Sequence, residues 1–285
     1  MIDDVLCFIK SAGNKLIKIR KDKGLLIDYK SKTPVGMVTK ADKTISKMFE
    51  DFVKKNFKGL NYFIVDEETF KNYGDKIFDK INKAEYVFII DPLDGTLQYA
   101  QDIPIYGVSI GVFKNKKPYV GAIYMPRLGE LVYSDENKNA FWVKNAFKKN
   151  EHKIKLDKGY KTTSKLIVDL QQHFELDKTK NTQNYLFVDY LVSSFSYLLI
   201  ASGRIRSGMF KDWLWDFGGA WPIFDALSYK IYDFKENRYI KSLDKKDFTN
   251  DLKFKNAHII GSNSEVTYLK KIIIKDLEKW NLVKY

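Results

Sequence analysis

The stretch Tyr86-Val87-Phe88-Ile89-Ile90-Asp91-Pro92-Leu93-Asp94-Gly95-Thr96 runs an unbroken apolar segment straight into two carboxylates three residues apart. The apolar part predicts a buried strand. Pro-Leu-Asp-Gly alone predicts a type I turn, with Pro in the second position and Gly in the fourth. A plain turn does not need acids on both sides of the bend. Asp91 at the strand end and Asp94 across the bend can aim at one point in space. The bend releases the Leu93 carbonyl from any ladder, and Gly95 leaves room for a phosphate. Thr96 would start a helix whose first amides favour an anion.

Outward from this stretch the chain reads as alternating helices and strands. Asp3 or Asp4 is expected to cap a first helix with Leu6, Ile9, Gly13, Leu16 and Ile17 near helical spacing. A second helix over residues 41–57 aligns Ile45, Met48, Phe49, Phe52 and Val53 in one stripe. The segment NYFIV (61–65) reads as a short strand that ends in Asp66-Glu67-Glu68. Residues 106–143 read as an antiparallel meander. Lys144 to Lys165 is polar and lysine-rich and marks a boundary, giving an N-terminal α+β half (1–150) with most of the candidate ligands and a C-terminal half (151–285). In that second half, KLIVDL (165–170) and AHIIGSN (257–263) read as strands. Asp189 to Gly203 reads as a buried helix closed by its glycine. The fold class is α+β, with mixed sheets covered by helices.

The 285 residues carry a net charge of +13, yet only five of the 49 basic residues are arginine. Base readout and bidentate phosphate clamps favour arginine. The lysines are scattered in pairs, so a solvated lysine-rich surface is the simpler reading, and a nucleic-acid partner is disfavoured. A single cysteine, Cys7, allows no internal disulfide. The acidic start MIDDVL does not resemble a signal peptide, and no apolar run reaches the roughly 18 residues of a membrane span. A cytoplasmic location is expected.

There is no Cys-x-x-Cys, His-Glu-x-x-His, Walker loop or Gly-x-Gly-x-x-Gly. His152, His173 and His258 are far apart and read as surface or structural residues. Gly107-Val108-Ser109-Ile110-Gly111 matches the nucleophile-elbow spacing. That motif needs a strand, a sharp turn and a helix, whereas this serine lies inside an alternating β run. The carboxylates carry more information. Asp66-Glu67-Glu68, Asp91 with Asp94, and Asp216 in WLWDFGG each stand where an apolar segment ends or a helix begins. Carboxylates that converge without histidine or cysteine form a hard oxygen site suited to Mg²⁺, which shares its remaining positions with water and phosphate.

Taken together, Glu67-Glu68, Asp91-Pro92-Leu93-Asp94-Gly95-Thr96, Trp215-Asp216 with Gly218-Gly219, and Val38-Thr39-Lys40-Ala41-Asp42 resemble the inositol monophosphatase superfamily of magnesium-dependent, lithium-sensitive phosphatases. The resemblance covers roughly residues 1 to 230. It implies a layered α/β sandwich and two or three Mg²⁺ ions held by Glu67, Asp91, the Leu93 carbonyl, Asp94 and Asp216. It further implies phosphate binding at Gly95 and Thr96 with Asp216 on the substrate side. Thr96, Asp42 and Glu67 would handle the attacking water. A small soluble phosphomonoester is the implied partner, and a homodimer is compatible with it.

The departures point to substrate. Gly218-Gly219 replaces the usual Ala-Ala and Pro222 follows; both residue types weaken a helix. Members that recognise inositol hydroxyls carry an acid a few positions before Trp-Asp, where this chain has Met209 and Phe210. Lys211, Arg204 and Arg206 are placed to reach a second phosphate. The alternatives are therefore a 3′(2′),5′-bisphosphate nucleotidase, a sugar or histidinol phosphate phosphatase, or, outside enzymology, a basic nucleic-acid-associated protein.

Overall fold

The computed structural model describes residues 1–21, 27–29, 37–157, 167–170, 174–176 and 186–276. Helix α1 (Ile2–Lys21) has Asp3 and Asp4 in its first turn and Lys18, Arg20 and Lys21 in its last, which complements the helix dipole. The two aspartates are thus inside the helix and not its cap. Ile9, Gly13 and Leu16 are buried as expected, and Val5, Phe8 and Ala12 complete the stripe. Strands β1 (Ile27–Tyr29) and β2 (Met37–Thr39) pair antiparallel and lead into α2 (Lys40–Asn56). The buried face of α2 holds Ile45, Phe49 and Val53, but also Asp42 and Ser46.

Next come β3 (Tyr62–Asp66), α3 (Ile77–Lys83), β4 (Tyr86–Asp94) and the single turn α4 (Thr96–Ala100). The meander follows as β5 (Gly107–Lys114), β6 (Lys117–Met125), β7 (Glu130–Ser134), β8 (Ala140–Lys144) and β9 (His152–Leu156). These seven strands form one sheet in the order β3 to β9, with β3 parallel to β4 and the rest antiparallel. The sheet therefore runs into the lysine-rich stretch as far as Leu156.

A second sheet takes β10 (Ile167–Leu170), β12 (Leu186–Val188), β13 (Ser207–Phe210), β14 (Lys230–Asp233), β15 (Arg238–Tyr239) and β16 (His258–Gly261), while β11 (Phe174–Leu176) pairs with β17 (Ile273–Asp276). Its strand order is β12-β10-β13-β16-β14-β15. Helices α5 (Ser193–Ala201), α6 (Leu214–Gly218), α7 (Ala220–Ala226) and α8 (Asn263–Ile272) complete the chain. The buried helix expected over 189–203 begins only at Ser193. Helix α8 was not expected, although Ser262 and Glu265 form a capping box that announces it.

Strand alternation sorts the side chains into layers. In β4, Phe88 and Ile90 join α1 and α2 in one core, while Val87 and Ile89 join α5, α6 and α7 in another. In the second sheet, Phe210 and Ile260 face the same central helices, and Met209 and Ile259 turn to α8. The result is a layered sandwich, helices–sheet–helices–sheet–helix, as expected. Met209 is buried in the outer core with Val168 and Val266, so it does not face a substrate. Phe210 is likewise interior, against Tyr197.

The central helices press on the first sheet through backbone. A Cβ on Gly111 would lie 2.0 Å from the Gly218 carbonyl oxygen, and one on Gly121 would lie 2.3 Å from that of Gly219. This explains the misleading Gly-x-Ser-x-Gly: Ser109 is buried in mid-strand, and Gly111 is there for helix contact. It also explains Pro222. Helix α6 ends at Gly218 and α7 starts at Ala220, so the proline falls in the first turn of α7, where no helical N–H bond is lost.

Candidate metal centre

Glu67 and Asp91 are brought together by register. Parallel pairing sets Asp66 opposite Ile90, so the next residue of each chain segment stands at the same sheet end. Asp66 itself is structural: it accepts from the Ser46 hydroxyl at 2.6 Å and from the Glu68 N–H at 2.8 Å. The turn expected at Pro92-Leu93 is instead a bulge within a continuing strand. Asp91 pairs with Ser109 and Asp94 with Gly107, so three steps on β4 oppose two on β5. Residues three apart on a regular strand point to opposite faces; one inserted residue puts Asp91 and Asp94 on the same side. The Leu93 N–H donates to Asp91 Oδ1 at 3.0 Å and stabilises the bulge.

Gly95 follows with φ +84, and a Cβ there would lie 2.9 Å from the Ile105 carbonyl oxygen. Backbone conformation and packing both require glycine at this position. Thr96 Oγ1 lies 3.1 Å from Asp42 Oδ1 and 3.0 Å from the Leu93 carbonyl oxygen. A hydroxyl has one proton, so it donates to one of these at a time. The Leu93 carbonyl, with two lone pairs, retains one for another partner. Asp216, third in α6, accepts from its own cap, the Trp213 N–H, through Oδ2 at 3.0 Å. Asp94 is held from across the chain by the N–H of Ser194, at the start of α5.

Asp91, Asp94 and Asp216 each present an oxygen within 4.8 Å of the others. Burial, reinforced by Glu67, Asp94 and Asp216, pushes the Asp91 carboxyl well above its usual range. Burial pushes Asp94 up to about 6 despite the two hydrogen bonds from Ser194. Asp216 is also raised well above the usual carboxylate range, by burial and then by Asp212, Asp94 and Glu67. Like charges this close raise each other's pKa unless a cation intervenes. The donor set, carboxylate oxygens with a nearby carbonyl and no nitrogen or sulfur, fits a hard divalent cation.

The sequence did not single out Asp212. It is 5% exposed, accepts a short hydrogen bond from the Tyr197 hydroxyl, and adds negative potential at Asp94 and Asp216. Its signal was its place four residues before Asp216. Two expected phosphate-reaching cations are engaged elsewhere. Arg204 forms a bidentate pair with Glu130, at 3.1 and 2.7 Å, and stacks over Trp142, while Arg206 pairs with Glu265 at 3.0 Å. His152 is exposed and His258 is buried among phenylalanines; His173 lies outside the described residues. No helix among the described residues is long and apolar enough to cross a membrane.

A family model described as "Inositol monophosphatase family" matches residues 3–279. Inositol monophosphatase 1 of Saccharomyces cerevisiae is 34% identical over 175 residues, which covers 60% of this chain and 55% of that protein. A fructose-1,6-bisphosphatase/inositol-1-monophosphatase of Aquifex aeolicus is 29% identical over 130 residues, 46% of each chain. The chain thus spans about half the length of these curated relatives. Among solved structures, an IMPase/NADP phosphatase in complex with Mg²⁺ and phosphate superposes with a TM-score of 0.71 at 17% identity, covering 95% of this chain and 94% of that one. The extragenic suppressor protein suhB of Bartonella henselae gives 0.67 at 18% identity over 98% of both chains.

Proposed function

The chain belongs to the inositol monophosphatase family, and from that premise we propose that it is a Mg²⁺-dependent phosphatase that releases phosphate from a small soluble phosphomonoester. The observation that carries this reading is the convergence of Asp91, Asp94 and Asp216 within 4.8 Å, next to the Thr96–Asp42 pair. In the proposed assignment, Glu67, Asp91, the Leu93 carbonyl, Asp94 and Asp216 hold the metal. Bound there, Mg²⁺ supplies Lewis-acid polarisation of phosphoryl oxygens and a lowered pKa for water.

The remaining work falls to the chain's own groups. When the Thr96 hydroxyl donates to Asp42, its lone pairs are left to accept a hydrogen bond from the attacking water, and a proton taken along that bond is matched by the hydroxyl's own proton passing to Asp42. That contact fixes the direction of the water's own lone pair. Asp42, 1% exposed, is held in place by the body of α2. Gly95 and Thr96 receive the phosphate, with Glu67 and Asp216 closing the acidic wall around it. A cytoplasmic setting agrees with the single cysteine, Cys7. The test is phosphate release from a panel of phosphorylated metabolites with Mg²⁺ and with chelator. Hydrolysis that is indifferent to chelator, or no hydrolysis of any phosphomonoester, rejects the reading.

A further inference from the structure

Arg204 and Arg206 are engaged elsewhere, whereas Lys253 stands within electrostatic reach of Asp212 and Asp216. Lys253 is fastened to the start of α6. Its backbone bridges Trp213, and the adjacent Leu252 carbonyl accepts from the Leu214 N–H at 2.9 Å. A tight turn locks it further: the Thr249 N–H donates to the Lys253 carbonyl at 2.8 Å, and the Lys253 N–H donates to Thr249 Oγ1 at 3.1 Å. The side chain lies along the indole of Trp213, with Nζ 4.3 Å from the ring centroid. Trp213 in turn stacks on Trp215, the neighbour of Asp216, with centroids 6.0 Å apart.

Its surroundings are mixed in charge. Burial lowers the ammonium's pKa, opposed by Asp212, Asp251 and Asp216 and assisted by the neighbouring Lys211. A partly desolvated ammonium is costly to keep without a close partner. Yet among the described residues no carboxylate forms an ion pair with Lys253; its close contact is the ring of Trp213. The indole face holds the ammonium in place without neutralising it. A fixed, unneutralised cation within electrostatic reach of Asp212 and Asp216 is suited to a second anionic group on a substrate whose first phosphate sits at the metals.

We propose that Lys253, mounted on Trp213, forms a subsite for a second phosphate on the leaving group, so that the preferred substrate is a small bisphosphorylated molecule. The inference rests on the phosphatase reading above and deepens it. The competing role is local: Lys253 would merely offset the negative charge of Asp212 and Asp216. That role predicts equal effects on every substrate.

The experiment compares the full chain with Lys253→Gln and Lys253→Arg in Mg²⁺. The measured quantity is the ratio of kcat/KM for fructose 1,6-bisphosphate, and separately for 3′-phosphoadenosine 5′-phosphate, to that for glycerol 1-phosphate. Loss of a charge-assisted phosphate contact should lower the ratio by roughly tenfold or more in Lys253→Gln, chiefly through KM, and Lys253→Arg should restore most of it. The loss in either bisphosphate supports the subsite and identifies its carrier as sugar or nucleoside. An unchanged ratio for both overturns it. Quenching of tryptophan fluorescence by the same bisphosphates, with Ca²⁺ in place of Mg²⁺, separates the two readings. If nothing is hydrolysed, the phosphatase reading fails; the subsite still stands if quenching weakens about tenfold in Lys253→Gln and falls if it does not.

Discussion

The N–H of Ser194 donates to Asp94 Oδ2 across a separation of one hundred residues, so the helix that follows the second sheet's edge strand fixes a carboxylate of the first sheet. Asp94 is thereby held beside Asp91 and Asp216, with the charges of Asp212 and Glu67 also acting on it. Asp94→Asn keeps an oxygen that can accept from Ser194 but removes one negative charge. We expect it to lower turnover by at least about a hundredfold, because a neutral amide is a poor ligand for a hard cation. In chelator its melting temperature should equal or exceed that of the wild type. Calorimetric Mg²⁺ titration and thermal melts check both halves; unchanged Mg²⁺ affinity with full turnover would refute the ligand assignment.

Thr96 Oγ1, within hydrogen-bond distance of both Asp42 and the Leu93 carbonyl, supports a prediction about kcat. Thr96→Ala removes the hydroxyl and should lower kcat by about 10²–10⁴ with little change in Mg²⁺ affinity. Thr96→Ser keeps the hydroxyl and should recover most of the rate. A loss shared by the serine variant would mean that the threonine acts through packing.

Gly111 touches the Gly218 carbonyl so closely that a methyl group would lie 2.0 Å from it. Gly111→Ala must push α6 away from the sheet, and Asp216 moves with that helix. The expected cost is roughly 1–3 kcal/mol or more, seen as a melting temperature lower by about 5 °C or more, with weaker Mg²⁺ binding. A variant that melts like the wild type would show that the interface is looser than the geometry indicates.

The converging acids are legible because local chemistry marks them: each ends a strand or opens a helix within a few residues of another acid. The bulge at Pro92-Leu93 was not, since a turn and a bulge share the same residue preferences and only the partner strand decides between them. Asp212 and Lys253 were missed for a related reason. Their significance comes from Tyr197 and Trp213, and neither contact follows from local spacing. Met209 was placed by count alone, and the strand's alternation turned it to the wrong face. Gly218 and Gly219 looked like helix weaknesses until Gly111 and Gly121 appeared opposite them.

His258 gives the acid side of the stability profile. It is fully buried, neither ring nitrogen has a hydrogen-bond partner among the described residues, and its ring lies 4.2 Å from that of Phe254 and 5.1 Å from that of Phe217, centroid to centroid. Burial pushes its pKa down to about 3. The folded state therefore resists protonation that the unfolded chain accepts below about 6.5. Above that pH neither state binds the proton and His258 has no effect on the pH dependence. As pH falls from about 6.5 toward 3, the unfolded chain gains the proton and stability is lost, by about 2 kcal/mol at pH 5. His258→Leu removes this penalty and replaces two unpartnered nitrogens with an apolar side chain. At pH 7.5 the variant should be as stable as the wild type or more so, and its advantage should widen by about 2 kcal/mol at pH 5. Denaturant unfolding at the two pH values measures that difference. An advantage that stays constant with pH would show that His258 gains a proton in the folded protein as readily as in the unfolded chain.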